Sequence, residues 1–362
     1  AGAIVAIYTQ NSDRQVQSIA YSTDNGRTFT KYENNPVLVS EARDFRDPKV
    51  FWYEGTKRWI MVLAVGQEMQ FFSSPNLKDW TFESSFGKGH GAHGNVWECP
   101  DLFELPVEGT NEKRWVLLCS LGDGPFGDSA TQYFVGSFNG KEFVNESPSK
   151  TKWMDWGKDH YATVTWSDAP DNRRIAIAWM SNWQYANDVP TSQYRSPNSV
   201  PRDLSLFTVD GETYLQSAPS PELLALRDAS KKRSFKVNGT RTIKEMIPGN
   251  DGAYEIELTI ENQRADVIGF RLYNDKGEEV DMQYDMKEKK FSMDRRKSGE
   301  VSFNENFPML TWTAIEQGGN EEQGGKEALK LRLFVDKSSV EAFGDGGRFV
   351  MTNQVFPSEP YN

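Results

Sequence analysis

The chain has 362 residues, a formal net charge of −11 and 26% charged side chains, with a mean hydropathy of −0.66. It holds no apolar run near the roughly 18 residues that read as a membrane-spanning helix, and its acidity disfavours nucleic acid and anionic membranes as partners. Cys99 and Cys119 are too few for a disulfide framework and three histidines too few for a histidine-rich metal site, so neither a metal nor a cofactor is expected.

The opening AGAIVAIYTQ has no basic residue before its apolar stretch and reads as a strand rather than a leader peptide. Ser22-Thr23-Asp24-Asn25-Gly26-Arg27-Thr28-Phe29 is a tight-turn signature, because Asn-Gly supplies positive φ between two strands. It has the S-x-D-x-G-x-T-F form of the Asp-box turns of sugar-processing propellers. Weaker echoes follow from Phe72 to Trp80 and from Val135 to Phe143.

A larger repeat runs between these turns. Asp47-Pro48-Lys49-Val50-Phe51 precedes Lys57-Arg58-Trp59, and Pro100-Asp101-Leu102-Phe103 precedes Lys113-Arg114-Trp115, the two triplets lying 56 residues apart. A third unit runs from Asp159-His160-Tyr161-Ala162 to Arg173-Arg174-Ile175. Each unit is a strand, a polar turn and a second apolar strand. Repeats of this length, nearly all strand and turn, predict a β-propeller, with a sandwich of irregular hairpins as the alternative.

Near residue 217 the texture changes. Ser217-Ala218-Pro219-Ser220-Pro221-Glu222 reads as a hinge running into a short helix, Leu223–Arg227, with Ser220 as N-cap. Alternating strands follow, such as Tyr254–Ile260 and Leu329–Val335, with turns at Asp275-Lys276-Gly277 and Asp345-Gly346-Gly347. This is an antiparallel β-sandwich pattern. Ten of the eleven tryptophans precede residue 217 and only Trp312 follows it. Three segments are expected: a partial propeller over 1–216, a hinge and helix over 217–228, and a sandwich over 229–362.

Aligning the repeats puts Asp47, Glu98 and Asp159 in register at the start of successive units. The first strand of a propeller blade lines the central axis, so the three carboxylates are expected to converge on one axial cavity. Convergent carboxylates among aromatics suit glycoside hydrolysis, which needs one protonated and one ionised group. Glu98 sits between Trp97 and Cys99, apolar surroundings that suit the proton donor. Asp47 follows Arg46, whose charge suits an ionised partner that grips sugar hydroxyls. Blander readings exist for each. Glu98 could accept backbone N–H groups, Asp47 could cap a turn, and Trp97 and Trp183 could be core. His90 and His93, three apart, lack the further ligands of a metal site and suit a glycine-rich rim loop. Asn145-Glu146-Ser147 and Asn238-Gly239-Thr240 are glycosylation sequons that matter only in a eukaryotic secretory setting.

Arg46-Asp47-Pro48 and Trp97-Glu98-Cys99-Pro100 resemble two hallmark motifs of glycoside hydrolase family 32, the invertases, inulinases and levanases. The resemblance continues through Gly157–Ala162, Trp179-Met180-Ser181-Asn182-Trp183, Val189-Pro190-Thr191, Arg195 and Pro201-Arg202. It extends to Val335-Asp336, Ser338–Glu341 and Phe356–Glu359, and so covers essentially the whole chain. It implies an all-β fold, a five-bladed β-propeller followed by a C-terminal β-sandwich, and retaining hydrolysis of β-fructofuranosides. It implies Glu98 as acid/base, Asp47 as transition-state stabiliser and Arg46 as its support. Asp159 and Trp183 would belong to the fructose pocket. The same motifs bring in Trp97, Cys99, Tyr161 and Asn182 as substrate-binding residues.

The family's nucleophilic aspartate lies in an N-D-P-N-G-type motif, and this chain has none; Asn34-Asn35-Pro36 lacks the aspartate. The chain is therefore expected to lack its N-terminal blade region, and to stop at Pro360-Tyr361-Asn362 before the closing strands. A propeller missing a blade exposes unpaired edges, so this chain alone is expected to be inactive. The expected partner is a fructose-containing oligo- or polysaccharide, met outside the cell or in the periplasm. Competing functions are a non-catalytic fructan-binding propeller, a fructosyltransferase of the same family, and a related inverting glycosidase. Linkage preference, exo or endo action and oligomeric state are not legible.

Overall fold

The computed structural model describes residues 2–227, 232, 234–243, 251–261, 264–315 and 328–361. The expected boundary between residues 228 and 229 lies outside them. The described residues are almost all strand and turn. β1 (Ile4–Asn11), β2 (Gln15–Ser22) and β3 (Thr30–Lys31) make the first sheet. β4 (Arg46–Tyr53), β5 (Arg58–Val65), β6 (Glu68–Ser74) and β7 (Thr81–Phe86) make the second. β8 (Trp97–Pro106), β9 (Lys113–Gly122), β10 (Ser129–Phe138), β11 (Phe143–Asn145) and β12 (Lys152–Trp153) make the third. β13 (Tyr161–Trp166), β14 (Ile175–Trp179), β15 (Arg202–Val209) and β16 (Glu212–Pro219) make the fourth. Each follows chain order as an up-and-down meander, except that β12 pairs with β10 in the third, and this is the blade pattern that the repeats predict.

The segments after residue 250 form two further sheets. β17 (Tyr254–Ile260), β18 (Val267–Tyr273), β19 (Glu279–Asp285), β20 (Lys290–Lys297), β21 (Leu310–Ala314), β22 (Leu329–Asp336), β23 (Ser339–Gly344) and β24 (Phe349–Gln354) order as β17-β22-β23-β24 and β18-β19-β20-β21. One core joins them: Val280, Met282, Tyr284 and Phe291 with Leu331, Leu333, Val340 and Met351. This is the sandwich.

The residues group into two compact units: 1–124 with 130–153 and 162–164, and 125–129 with 154–161 and 165–362. In the first, alternate residues of β5 enter separate cores. Ile60, Val62 and Ala64 join Trp97, Leu117 and Phe134, while Met61, Leu63 and Val65 join Phe45 and Phe72. Side chains alternate across a strand, so a sheet covered on both faces needs an unbroken apolar run, as β5 has.

The blade turns are built by Asx side chains. Asp24 accepts from the Thr28 N–H at 2.9 Å, the Thr28 hydroxyl at 2.7 Å and the Ser22 hydroxyl at 2.7 Å. Asn25 and Gly26 both have positive φ. In the weaker echoes, Asn76 accepts from the N–H groups of Lys78 and Asp79, and Asn139 from those of Lys141 and Glu142.

Two expectations near residue 217 are corrected. Ser217–Pro219 is the end of β16, paired with Leu204–Arg202, rather than a loose hinge. The helix is a 3-10 turn over Pro221–Leu226, and the Ser220 hydroxyl does not cap it. That hydroxyl donates to Asp203 at 2.5 Å, a charged acceptor that outcompetes the backbone.

Candidate active site

In the first unit the site grows from two matching irregularities. Pro48 and Pro100 lack the N–H a ladder needs. The β4–β5 register shifts between Arg46 and Lys49, and the β8–β9 register between Glu98 and Asp101. Asp47 and Cys99, each just before its proline, take φ of 61° and 49°. Bulges of this kind re-aim side chains next to functional sites.

The two bulged strands meet in a constant register. Arg46 Nη2 lies 3.0 Å from Glu98 Oε1, the Cys99 N–H donates to Asp47 Oδ2 at 2.9 Å, and Lys49 Nζ lies 3.0 Å from Asp101 Oδ2, every pair 52 residues apart. A constant offset means that β4 and β8 run parallel, as first strands of successive blades do.

Arg46 also holds Asp44 at 2.6 Å. Burial works against its charge, but the hydrogen bonds it donates to Asp44 and Glu98 outweigh that and hold the guanidinium above its ordinary value. The sequence suggested that Arg46 serves its neighbour Asp47; it serves Glu98 instead. Glu98 is thus not in apolar surroundings but beside a cation, with its side chain 27% exposed. Asp47 faces Cys99. Burial, then the Asp47 and Glu98 charges, push the Cys99 thiol well above its usual range, so it is a neutral donor to Asp47. The Asp47 N–H donates to Thr9 Oγ1 at 3.1 Å.

Trp97 does not line the site. Its ring has no exposed surface, its Nε1–H donates to the Ala92 carbonyl at 3.0 Å, and it packs against Phe134 and His93. An isolated tryptophan in an apolar strand is core by default. His90 stacks on Phe86, and among the described residues no group of three or more His, Cys, Asp or Glu could hold a metal ion.

In the second unit, Trp183 is 57% exposed and lies against Trp179, ring centroids 4.8 Å apart. Tyr161 is buried with its ring edge toward Trp179. Asn182 is buried and spends its amide on the Gly127 and Lys158 carbonyls, at 3.0 and 3.1 Å. Asp159 is corrected too: it has no exposed surface, and its oxygens accept from Tyr185 Oη, Arg295 Nη1 and the Gln354 N–H. Asp159, Tyr161 and Asn182 therefore build the support of this surface rather than the surface itself. Tyr185 and Arg295 were missed by the sequence reading. Arg295 sits in Asp294-Arg295-Arg296-Lys297, which reads as a solvated polar run.

The structure thus brings Arg46, Asp47, Glu98 and Cys99 together in one unit, and Trp183, Tyr161, Asn182 and Asp159 in the other.

The family model described as the Glycosyl hydrolases family 32 N-terminal domain matches residues 1–219, and the Glycosyl hydrolases family 32 C terminal model matches residues 222–362. The levanase of Bacillus subtilis is 47% identical over 365 residues, covering 98% of this chain and 53% of the levanase. The extracellular exo-inulinase of Aspergillus awamori is 34% identical over 372 residues, covering 97% of this chain and 68% of that protein. Its crystal structure superposes with a TM-score of 0.86 at 32% identity, covering 98% of this chain and 74% of that one. A β-fructofuranosidase from Schwanniomyces occidentalis, complexed with fructosyl-erythritol, gives a TM-score of 0.86 at 34% identity, covering 99% and 73%. The chain spans about half the length of the Bacillus subtilis levanase.

Proposed function

Because the chain belongs to glycosyl hydrolase family 32, we propose that the protein hydrolyses β-fructofuranosides with retention, releasing fructose from fructans such as levan or inulin, from sucrose, or from both. The observation that carries this reading is the cluster on the paired bulges, where Arg46 holds Glu98 at 3.0 Å and Asp47 lies beside it. The levanase and exo-inulinase relatives support the substrate class.

In this mechanism Glu98 gives its proton to the glycosidic oxygen as the bond to the anomeric carbon breaks. Arg46, already anchored by Asp44, then holds the Glu98 carboxylate that results. In retaining hydrolysis a carboxylate nucleophile forms the glycosyl-enzyme, and Glu98 deprotonates the water that hydrolyses it. Asp47, kept in place by the Cys99 N–H, grips fructose hydroxyls as charge develops at the ring. Trp183 offers an exposed ring face to the sugar. Residues 1–216 are proposed as the catalytic part and 229–362 as the sandwich. Polymeric fructans do not enter cells, and the exo-inulinase relatives are named extracellular, which supports action outside the cell.

The test is fructose release by the full-length protein from levan, inulin and sucrose. Glu98→Gln should lower kcat by about 10²–10⁴-fold, the usual worth of a general acid, with fructan binding retained. Binding with no release from the unmutated protein would leave a fructan-binding propeller instead.

A further inference from the structure

Trp183 is the exposed part of a tightly pinned turn. Asn182 Oδ1 accepts from the Gln184 N–H at 3.0 Å, and the Trp183 N–H donates to Ser129 Oγ at 3.0 Å. The N–H groups of Tyr185 and Ala186 return to the Asn182 carbonyl. Lys158 Nζ donates to Gln184 Oε1 at 2.6 Å and to the Phe126 carbonyl at 2.7 Å. The indole lies tilted by 42° against the Trp179 ring, and the pinned backbone of 182–185 sets its aim.

The turn's last residue, Tyr185, is held from the sandwich. Its hydroxyl donates to Asp159 Oδ1 and accepts from Arg295 Nη2 at 2.8 Å. Arg295, on β20, has no exposed side-chain surface. Its remaining hydrogen bonds go to Asp159, to the Phe307 carbonyl at 2.8 Å and to the Gln354 carbonyl at 3.1 Å. The guanidinium fork thus fixes one carboxylate, one phenol and two carbonyls in a single geometry. Lysine, a point charge, could not do this. The Tyr185 ring stands edge-on to Phe307 at 5.2 Å, so the phenol cannot swing to a new position without disturbing the packing.

We propose that Arg295 is a positioning residue for sugar binding: acting through Asp159 and Tyr185, this sandwich side chain sets the turn that presents Trp183 to a fructosyl unit. The inference rests on the reading of Trp183 as a sugar-contacting ring. It assigns the sandwich a part in substrate affinity without any sandwich residue touching the substrate. Because the lock acts through the turn that carries Trp183, its loss is read in sugar binding rather than in the bond-breaking step. A misplacement of a fraction of an ångström in a binding group is enough for such an effect.

The experiment is steady-state hydrolysis of inulin and levan by the full-length protein carrying Arg295→Met, Arg295→Lys, Tyr185→Phe or Trp183→Ala. Tyr185→Phe removes only the hydroxyl and keeps the ring against Phe307, so it reports on the lock even where the arginine variants fail to fold. The expected result is a KM raised 5- to 30-fold in Trp183→Ala and 3- to 10-fold in Tyr185→Phe and the folded arginine variants. Arg295→Lys should not rescue, and kcat should stay within about threefold throughout. Raised KM in Trp183→Ala with unchanged KM in Tyr185→Phe and the arginine variants overturns the inference and leaves the Trp183 reading standing. Unchanged KM in Trp183→Ala overturns both.

Discussion

His160 is enclosed among charges and carries none of its own at neutral pH. Burial, then the Arg202 guanidinium, pull its pKa down to about 3, against the opposing Asp155 carboxylate. The unfolded chain takes up this proton near pH 6.5, and the folded chain refuses it until about pH 3. Stability is therefore lost as pH falls from about 6.5 toward 3, by up to about 1.4 kcal/mol per pH unit. In His160→Gln the slope of unfolding free energy against pH between 6 and 4, from urea titrations, should fall by up to that amount. An unchanged slope would show that His160 titrates normally. Such burial is not legible in Lys158-Asp159-His160-Tyr161, where polar residues dominate. Arg46 and Glu98 were legible as a pair of motifs but not as partners. Sequence adjacency suggested Arg46 with Asp47, whereas the shared 52-residue register of β4 and β8 decides the contact. Asp159 fails for a similar reason: its partner Arg295 is 136 residues away, with no local signal.

At the scale of elements the blades were the most legible part. The recurrent KRW triplets mark second strands, and the Asx turns close the hairpins, because both devices are local in sequence. The end of β16 was misread because Pro and Ser suggest a loop, while Pro219, at the strand's end, is compatible with pairing to Arg202. Close strand approach was not legible at all. Gly136, in β10 opposite Asn145, has its missing Cβ 1.9 Å from the Val144 carbonyl oxygen, which is backbone and cannot yield cheaply. Gly136→Ala should destabilise by about 1–3 kcal/mol, read as a lower denaturation midpoint in urea. An unchanged midpoint would mean that β11 moves away freely.

Across the molecule, composition pointed to two textures, and the all-β architecture followed from them. What composition could not reveal is how the sandwich strands finish the polar network of the segment before β13. Arg202 is clasped by Asp155 and Glu341 at 2.8 Å each, and the Thr352 N–H and hydroxyl both bind Asp155. A chain ending at residue 216 would leave Asp155, Asp159 and Arg202 short of these partners. An uncompensated buried charge costs about 3–5 kcal/mol, so the truncated chain should lack native near-ultraviolet circular dichroism. A native-like spectrum would overturn that. The same contacts carry a meaning for biosynthesis. Asp155 and Asp159 wait for Thr352 and Gln354, 197 and 195 residues downstream. At roughly 5–20 residues per second, the ribosome keeps these carboxylates without their Thr352 and Gln354 partners for about 10–40 s. The turn that carries Trp183 is thus among the last parts of the nascent chain to mature, and a translational pause before the codon for Gln354 would prolong the interval in which chaperones must guard it.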